Sequence, residues 1–531
     1  MALALAFLLS GVGADEFEFL KAQEQNRARD FASQLYLQNG CKDITRCRII
    51  FYTMKSPKIT ALNAFAKAID SKPLNALLAC KNASFAKEGV SPECAAIAIN
   101  AQQASALDRA RLLQLAKSIV AIDPNKARWL SALASNDPLG AAADDPNTFY
   151  SIALGVLAET LKRLPMDNLN ITELENDVRF SRLVERVALI DVPQKTIDFI
   201  LTANVNKLDN KGAFYIGILF VMQKRFNEAF NAFEIAAKKA PNRYSIDRAL
   251  FWQWLIRSDK QALERLANSA EINFYSIFAR EVDGKKPLSA ITAADAPKGA
   301  KADYTRKELF DPFFWSNLRK RIYDGDRDWL LRELNKLAHV DAEGYRAAIL
   351  YALLPSENTN IFLYPYQNAL ANLSVDERAV TLAIMRQESH FVPASLSSSY
   401  AIGAMQMMPF LIETMTKANK DRSDPRRFFD PYVQMPYATK HISWLRGKLS
   451  HPLFVFYAYN GGYGFTSRML DRKQHFRSGE FEPFLSMERV PIEETREYGK
   501  SVLANYVVYK RLFGEPITLR SLLKSSTLQS D

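Results

Sequence analysis

Glycine is scarce in this chain, at 20 residues of 531, well below the usual share of about 7%. Glycine is costly inside helices, and alanine, which is abundant here, is the best helix former, so the shortage argues for helices over strands. Cysteine is rarer still: there are four, and none lies beyond residue 100. They show no Cys-x-x-Cys spacing and have no histidine nearby, which argues against a zinc site. No run of five or more Lys or Arg occurs, and no nucleic-acid-binding motif is visible. The net charge of +11 therefore fits a generic basic surface or an anionic polymer as partner. It does not choose between nucleic acid, a membrane surface and an acidic glycan. No apolar stretch reaches the ~20 residues of a bilayer-spanning helix, so no transmembrane anchor is expected. In bulk the chain is ordinary, with 48% hydrophobic and 24% charged residues, as in soluble globular proteins. Its length suggests three or four domains' worth of chain at about 150 residues each.

The first fourteen residues read MALALAFLLSGVGA, an apolar stretch followed by small residues and then Asp15-Glu16. This pattern predicts a secretory signal over 1–14 with cleavage after Ala14, although a basic start is missing. The rival reading is a buried first helix. No cysteine follows the apolar run, which argues against a lipoprotein. Behind a secretory signal, Cys41, Cys47, Cys80 and Cys94 are expected to form two disulfides in an oxidising compartment, with free thiols as the alternative. Three pairings are open. Pairing of near neighbours would give Cys41–Cys47 and Cys80–Cys94.

From about Glu16 to Asn360, apolar residues recur at spacings of three and four, helix after helix. In KRFNEAFNAFEIAAKKAP, Phe226, Ala229, Phe230, Phe233, Ala236 and Ala237 make one stripe. Lys238 and Lys239 suit the helix's negative end, and Pro241 stops it. The next stretch repeats the plan with Ala249, Trp252, Leu255 and Ile256. Helical pairs of this kind stack into solenoids because no pair buries its apolar face alone. No strict period is present, so the pattern is degenerate helix-pair stacking. A boundary falls near NTNIFLYPYQNALANLS, where Pro365 and several Asn interrupt the helical pattern. The expected organisation is a helical domain over 15–362, with a linker subdomain near 290–362, and a second domain over 363–531.

The second domain opens on SVDERAVTLAIMRQESH. Ser374 and Glu377 form a capping box, and Pro393 forbids much continuation past His390. Glu388 should therefore sit in the last turn of a helix. There the dipole's negative end and apolar surroundings both disfavour a second negative charge and raise its pKa. A carboxyl kept protonated near neutral pH is what a general acid requires. No other acid stands between Glu388 and Glu413. Farther on come Gly403-Ala404-Met405-Gln406, Met408-Pro409, a Tyr459-Asn460-Gly461-Gly462 turn, and Glu494 before a long helical pattern.

These blocks resemble the catalytic domain of the soluble lytic murein transglycosylases, the Slt-type family. The family pattern of Glu-Ser, an aromatic, a Ser, then Gly-Leu-Met-Gln and Met-Pro matches Glu388-Ser389-His390-Phe391, Ser397, Gly403 to Gln406 and Met408-Pro409. Ala458 to Gly462 matches Ala-Tyr-Asn-x-Gly, and Glu494 to Tyr498 matches Glu-Thr-Arg-x-Tyr. Four blocks agree in order and spacing across about 120 residues. There are departures. Ala404 replaces Leu, Tyr400 stands where Gly is usual, and Gln434, Ala438 and His441 replace Asn, Gly and Tyr.

The resemblance implies an all-α protein: a long N-terminal helical superhelix, then a lysozyme-like α-helical catalytic domain. It implies periplasmic cleavage of the β-1,4 bond between N-acetylmuramic acid and N-acetylglucosamine in peptidoglycan, without metal or cofactor. Most glycoside hydrolases use two carboxylates. Here Glu388 alone would protonate the leaving oxygen, then take the proton from the muramyl O6 hydroxyl as it closes a 1,6-anhydro ring. Ser397, Gln406, Met408, Tyr459, Asn460 and Glu494 would line the cleft. Glycan strands are the expected partner, with cell-wall enzymes as further partners and a monomer as the state; nucleic acid is not expected. Two rivals remain. A lysozyme-like hydrolase would need a second acid, with Glu413, Glu493 and Glu494 as sources. A non-catalytic glycan-binding scaffold would keep Glu388 without using it.

Overall fold

The computed structural model describes residues 14–166, 169–353, 360–472 and 475–526. The predicted signal segment lies outside these residues except for Ala14, which opens the first helix, Ala14–Ala22. Among the described residues every regular element is a helix, and β pairing is confined to isolated bridges. No described helix is long and apolar enough to cross a membrane.

The chain divides into two compact units. One runs from the first described residues to Asp70 and takes in Ala270–Ser478 and the chain from Ile492 onward; the other comprises Ser71–Ser269 and Gly479–Pro491. Each contains one disulfide, Cys41–Cys47 in the first and Cys80–Cys94 in the second, so near neighbours pair.

In the second unit, helices Asn210–Met222, Phe226–Lys238 and Arg243–Arg257 pack one on the next. The predicted stripe is the buried face: Ala229, Phe233 and Ala236 have no exposure, while Phe226, Phe230 and Ala237 lie at its edge. Gly217 allows the close approach, since a Cβ there would stand 2.6 Å from the Phe233 ring. Trp252 is fully buried and stacks on Phe233, and burial of each such side chain contributes roughly 1.5–3 kcal/mol. The stretch after Trp252 breaks at Ser258, whose backbone is left-handed, before a short helix resumes at Lys260–Ala267. The returning segment Gly479–Pro491 is held here by Glu488, which pairs with Arg248 at 2.5 Å and accepts from the Trp252 indole N–H.

The first unit is built around three helices, Val375–Ser389, Pro452–Gly461 and Glu493–Leu512, with the last packed against both others. A Cβ on Gly499 would lie 2.1 Å from the Tyr457 ring, and one on Gly461 2.7 Å from Thr495 Oγ1. Two glycines thus let Pro452–Gly461 and Glu493–Leu512 touch nearly backbone to side chain, which brings their ends together at the site described next.

Candidate active site

Glu388 lies in the last turn of Val375–Ser389, as its sequence context predicts. The capping box is complete, with Ser374 and Glu377 each satisfying the other's backbone amide. His390 ends the helix in a left-handed conformation, and Phe391 follows in the same region. The Glu388 side chain is half-buried. Its pKa is pushed up to about 8, chiefly by burial. The hydroxyl of Tyr498 donates to Oε1 at 2.7 Å and opposes the rise, and the charge of Glu494 adds to it. At neutral pH the carboxyl therefore holds its proton.

The opposing wall is a loop pinned at nearly every backbone group. Ile402 and Met407 exchange two backbone hydrogen bonds, at 2.9 and 3.0 Å, and the turn between them is Gly403-Ala404-Met405-Gln406. Gly403 and Gln406 adopt positive φ, 79° and 46°. Gln434, with 0% exposure, lies beneath: it donates to the Ile402 carbonyl at 2.7 Å and accepts from the Met405 amide at 2.9 Å. A Cβ on Gly403 would strike that amide at 2.5 Å, so space as well as φ demands glycine. Ser389 donates to the Ala404 carbonyl at 2.8 Å, and Tyr459 donates to the Met405 carbonyl at 2.8 Å. The turn is thereby tied to the helix bearing Glu388 and to Pro452–Gly461.

Glu494 and Tyr459 each lie close enough to Glu388 for their charges to interact with its own. Tyr459, Asn460 and Gly461, read from sequence as a turn, occupy the last turn of a helix instead, with Gly462 as its cap. Asn460 donates to Glu494 Oε1 at 3.0 Å and accepts from Thr495 Oγ1 at 2.7 Å, which fixes the Glu494 side chain. Ser397, Gln406 and Met408 stand on the pinned loop. The Ser397 hydroxyl oxygen accepts the Ala401 amide at 2.9 Å and the Ser399 amide at 3.2 Å. The Gln406 amide donates to the Gly403 and Ser395 carbonyls, at 2.7 and 3.2 Å. Met408 caps helix Pro409–Ala418 and is half-buried. These three residues shape the loop; none bonds to Glu388. Glu413 is exposed and paired with Lys417, and Glu493 starts the Glu493–Leu512 helix.

Tyr498, matched in the Glu-Thr-Arg-x-Tyr block but given no role from sequence, is the member that contacts Glu388. Its signal is helical spacing: it follows Glu494 by four residues and so shares its face. Tyr400, where glycine is usual, takes the conformation a glycine would, with φ 64°. It is held there by its ring, which is 4% exposed and packs edge-on against Phe31 at 5.4 Å.

Residues 366–481 match the family described as Transglycosylase SLT domain. The soluble lytic murein transglycosylase of Escherichia coli K12 is 29% identical over 147 residues, covering 27% of this chain and 22% of that protein. The same enzyme of Salmonella typhimurium is 28% identical over 147 residues, with the same coverage. The match thus spans about a fifth of these relatives' length. Among solved structures, an inactive variant of lytic transglycosylase Slt from Pseudomonas aeruginosa aligns over 94% of this chain and 84% of its own, at 15% identity and a TM-score of 0.48. The 70-kDa soluble lytic transglycosylase of Escherichia coli aligns over 94% and 86%, at 17% identity and a TM-score of 0.47. Residues 366–481, which carry the Glu388 helix and the pinned loop, are thus the part of this chain that matches the Transglycosylase SLT domain family.

Proposed function

We propose that the protein is a periplasmic lytic transglycosylase that cleaves the β-1,4 bond between N-acetylmuramic acid and N-acetylglucosamine in peptidoglycan and releases 1,6-anhydromuramyl products. The observation that carries this reading is the state of Glu388: a carboxyl with a pKa of about 8, aligned by a tyrosine hydroxyl. Because Oε1 accepts from Tyr498, the acidic proton resides on Oε2. Oε2 gives that proton to the glycosidic oxygen as the bond to the anomeric carbon breaks. The carboxylate so formed is stabilised by the Tyr498 hydrogen bond. It then accepts the proton of the muramyl O6 hydroxyl as that oxygen bonds to the anomeric carbon. The substrate's N-acetyl group supports the positive charge in between. The cycle returns Glu388 protonated and consumes no water, so a single carboxyl serves as acid and then base. Tyr459 and Ser397 would hold the acetamido group or the reacting ring; Gln406 and Met408 would line the loop side, and Asn460 with Glu494 the other.

A second reading has one observation in its favour. Glu494 is near enough to raise the Glu388 pKa, so a second acid is available to activate water, as a lysozyme-like hydrolase needs. Mass spectrometry of peptidoglycan digested by the protein separates the two. Muropeptides lighter by one water, absent with Glu388→Gln, are the expected result. Products with free reducing ends would establish the hydrolase, and no products at all would leave a glycan-binding scaffold.

A further inference from the structure

Four aromatic rings of the first unit run outward from the Glu388 site. Helix Pro431–Lys448 carries His441 and Trp444 three residues apart, hence on one face. Their rings stack with centroids 5.9 Å apart and planes at 13°. His441 meets Tyr459 at 5.8 Å, and Trp444 meets Tyr463 edge-on at 5.3 Å. The inner end of this strip is the tyrosine that pins the Met405 carbonyl. The outer end is open: Trp444 is 48% exposed, whereas the other tryptophans are buried or half-buried.

A lone exposed apolar residue needs no explanation, but this ring continues a row that begins in the wall of the site. Aromatic faces carry partial negative charge and attract the polarised C–H bonds on the flat face of a pyranose, while the sugar's hydroxyls and acetamido groups need polar partners at the edge. Asn460 and Glu494, both half-exposed or exposed, offer such groups beside Tyr459. We propose that Trp444 and Tyr463, continued inward by His441 and Tyr459, form a binding strip for N-acetylated hexose units that lie beyond the bond being cleaved. This rests on reading Glu388 as the residue that cleaves a glycan.

The test is a binding isotherm of peptide-free glycan strands on the full chain carrying Glu388→Gln, with and without Trp444→Ala. Dissociation constants should rise roughly fivefold on loss of the indole, the worth of one good aromatic contact. Trp444→Phe should recover part of that loss, which an unfolded variant would not do. In the chain with Glu388 intact, KM for the strands should rise with Trp444→Ala by a similar factor. Equal dissociation constants with and without the indole would overturn the strip, as would selective loss of binding to another protein with glycan binding unchanged. Failure of the wild-type chain to release 1,6-anhydro sugars would instead overturn the proposed function, and the isotherms would still report on the strip.

Discussion

At the scale of single residues, the proposed chemistry rests on one proton and the hydroxyl that faces it. The pKa of Glu388 is raised from 4.5 to about 8 in the folded chain, so between those values the folded state binds a proton that the unfolded state has lost. Stability therefore falls as pH rises through this window, by up to about 1.4 kcal/mol per pH unit. Glu388→Gln removes the penalty. The variant should be little changed near pH 4.5 and increasingly more stable than the wild type toward pH 8, as read by urea denaturation at several pH values; parallel curves would place the carboxyl in water. Activity with glycan should decline on the alkaline side near pH 8, where the acid is lost. Tyr498 favours the ionised carboxylate, so Tyr498→Phe should move that alkaline limb upward while lowering kcat about tenfold, because the acid loses its alignment. A pH–rate profile that keeps its limb would remove Tyr498 from contact with the reacting group. Glu388 and its helix end were legible in sequence because their determinants are local: a capping box, a proline and the lack of a neighbouring acid. The contact that Tyr498 makes was not, since its partner lies 110 residues away.

At the scale of elements, two helices meet because side chains are missing where they cross. Gly499→Ala would improve helix propensity by about 1 kcal/mol yet press a methyl into the Tyr457 ring at 2.1 Å. Overpacking, typically 1–3 kcal/mol, should win, lowering the melting temperature and loosening Glu494 from Asn460. Gly447, also helical, has open space where its Cβ would stand, so Gly447→Ala should stabilise by roughly 0.5–1 kcal/mol. Opposite signs in thermal denaturation are the expected result, and a shared sign would show that packing at Tyr457 relaxes freely. The helices themselves were readable from periodicity, as the Phe226–Lys238 face shows. The path of the pinned loop was not. Gly403 announces a turn, but the turn is fixed by Gln434 from below, and Tyr400 is held left-handed by Phe31 near the start of the chain. The helical setting of Tyr459 was masked by the Gly461-Gly462 pair, which reads as a turn and in fact caps a helix.

At the scale of the whole molecule, stability is distributed over two units, each containing one short-range disulfide. The loops spanned are 6 residues for Cys41–Cys47 and 14 for Cys80–Cys94. Constraint of the unfolded chain grows with loop length, so replacing the Cys80–Cys94 pair by serines should cost about 3 kcal/mol and the Cys41–Cys47 pair somewhat less. Chemical denaturation of the two double variants reads the order, and an inverted order would locate the effect in the folded state. Within the first unit, Arg27 donates to the Leu396 carbonyl across 369 residues of sequence, and Tyr498 reaches Glu388 across 110. A chain made from its N-terminus exposes Glu388 well before Glu493–Leu512 exists to cover it. Until then the carboxyl is an ordinary ionised surface group. For the hundred or so residues made between Glu388 and Glu493–Leu512, the newborn polypeptide thus carries this carboxyl in its ionised form, and it gains its proton only once that helix has packed.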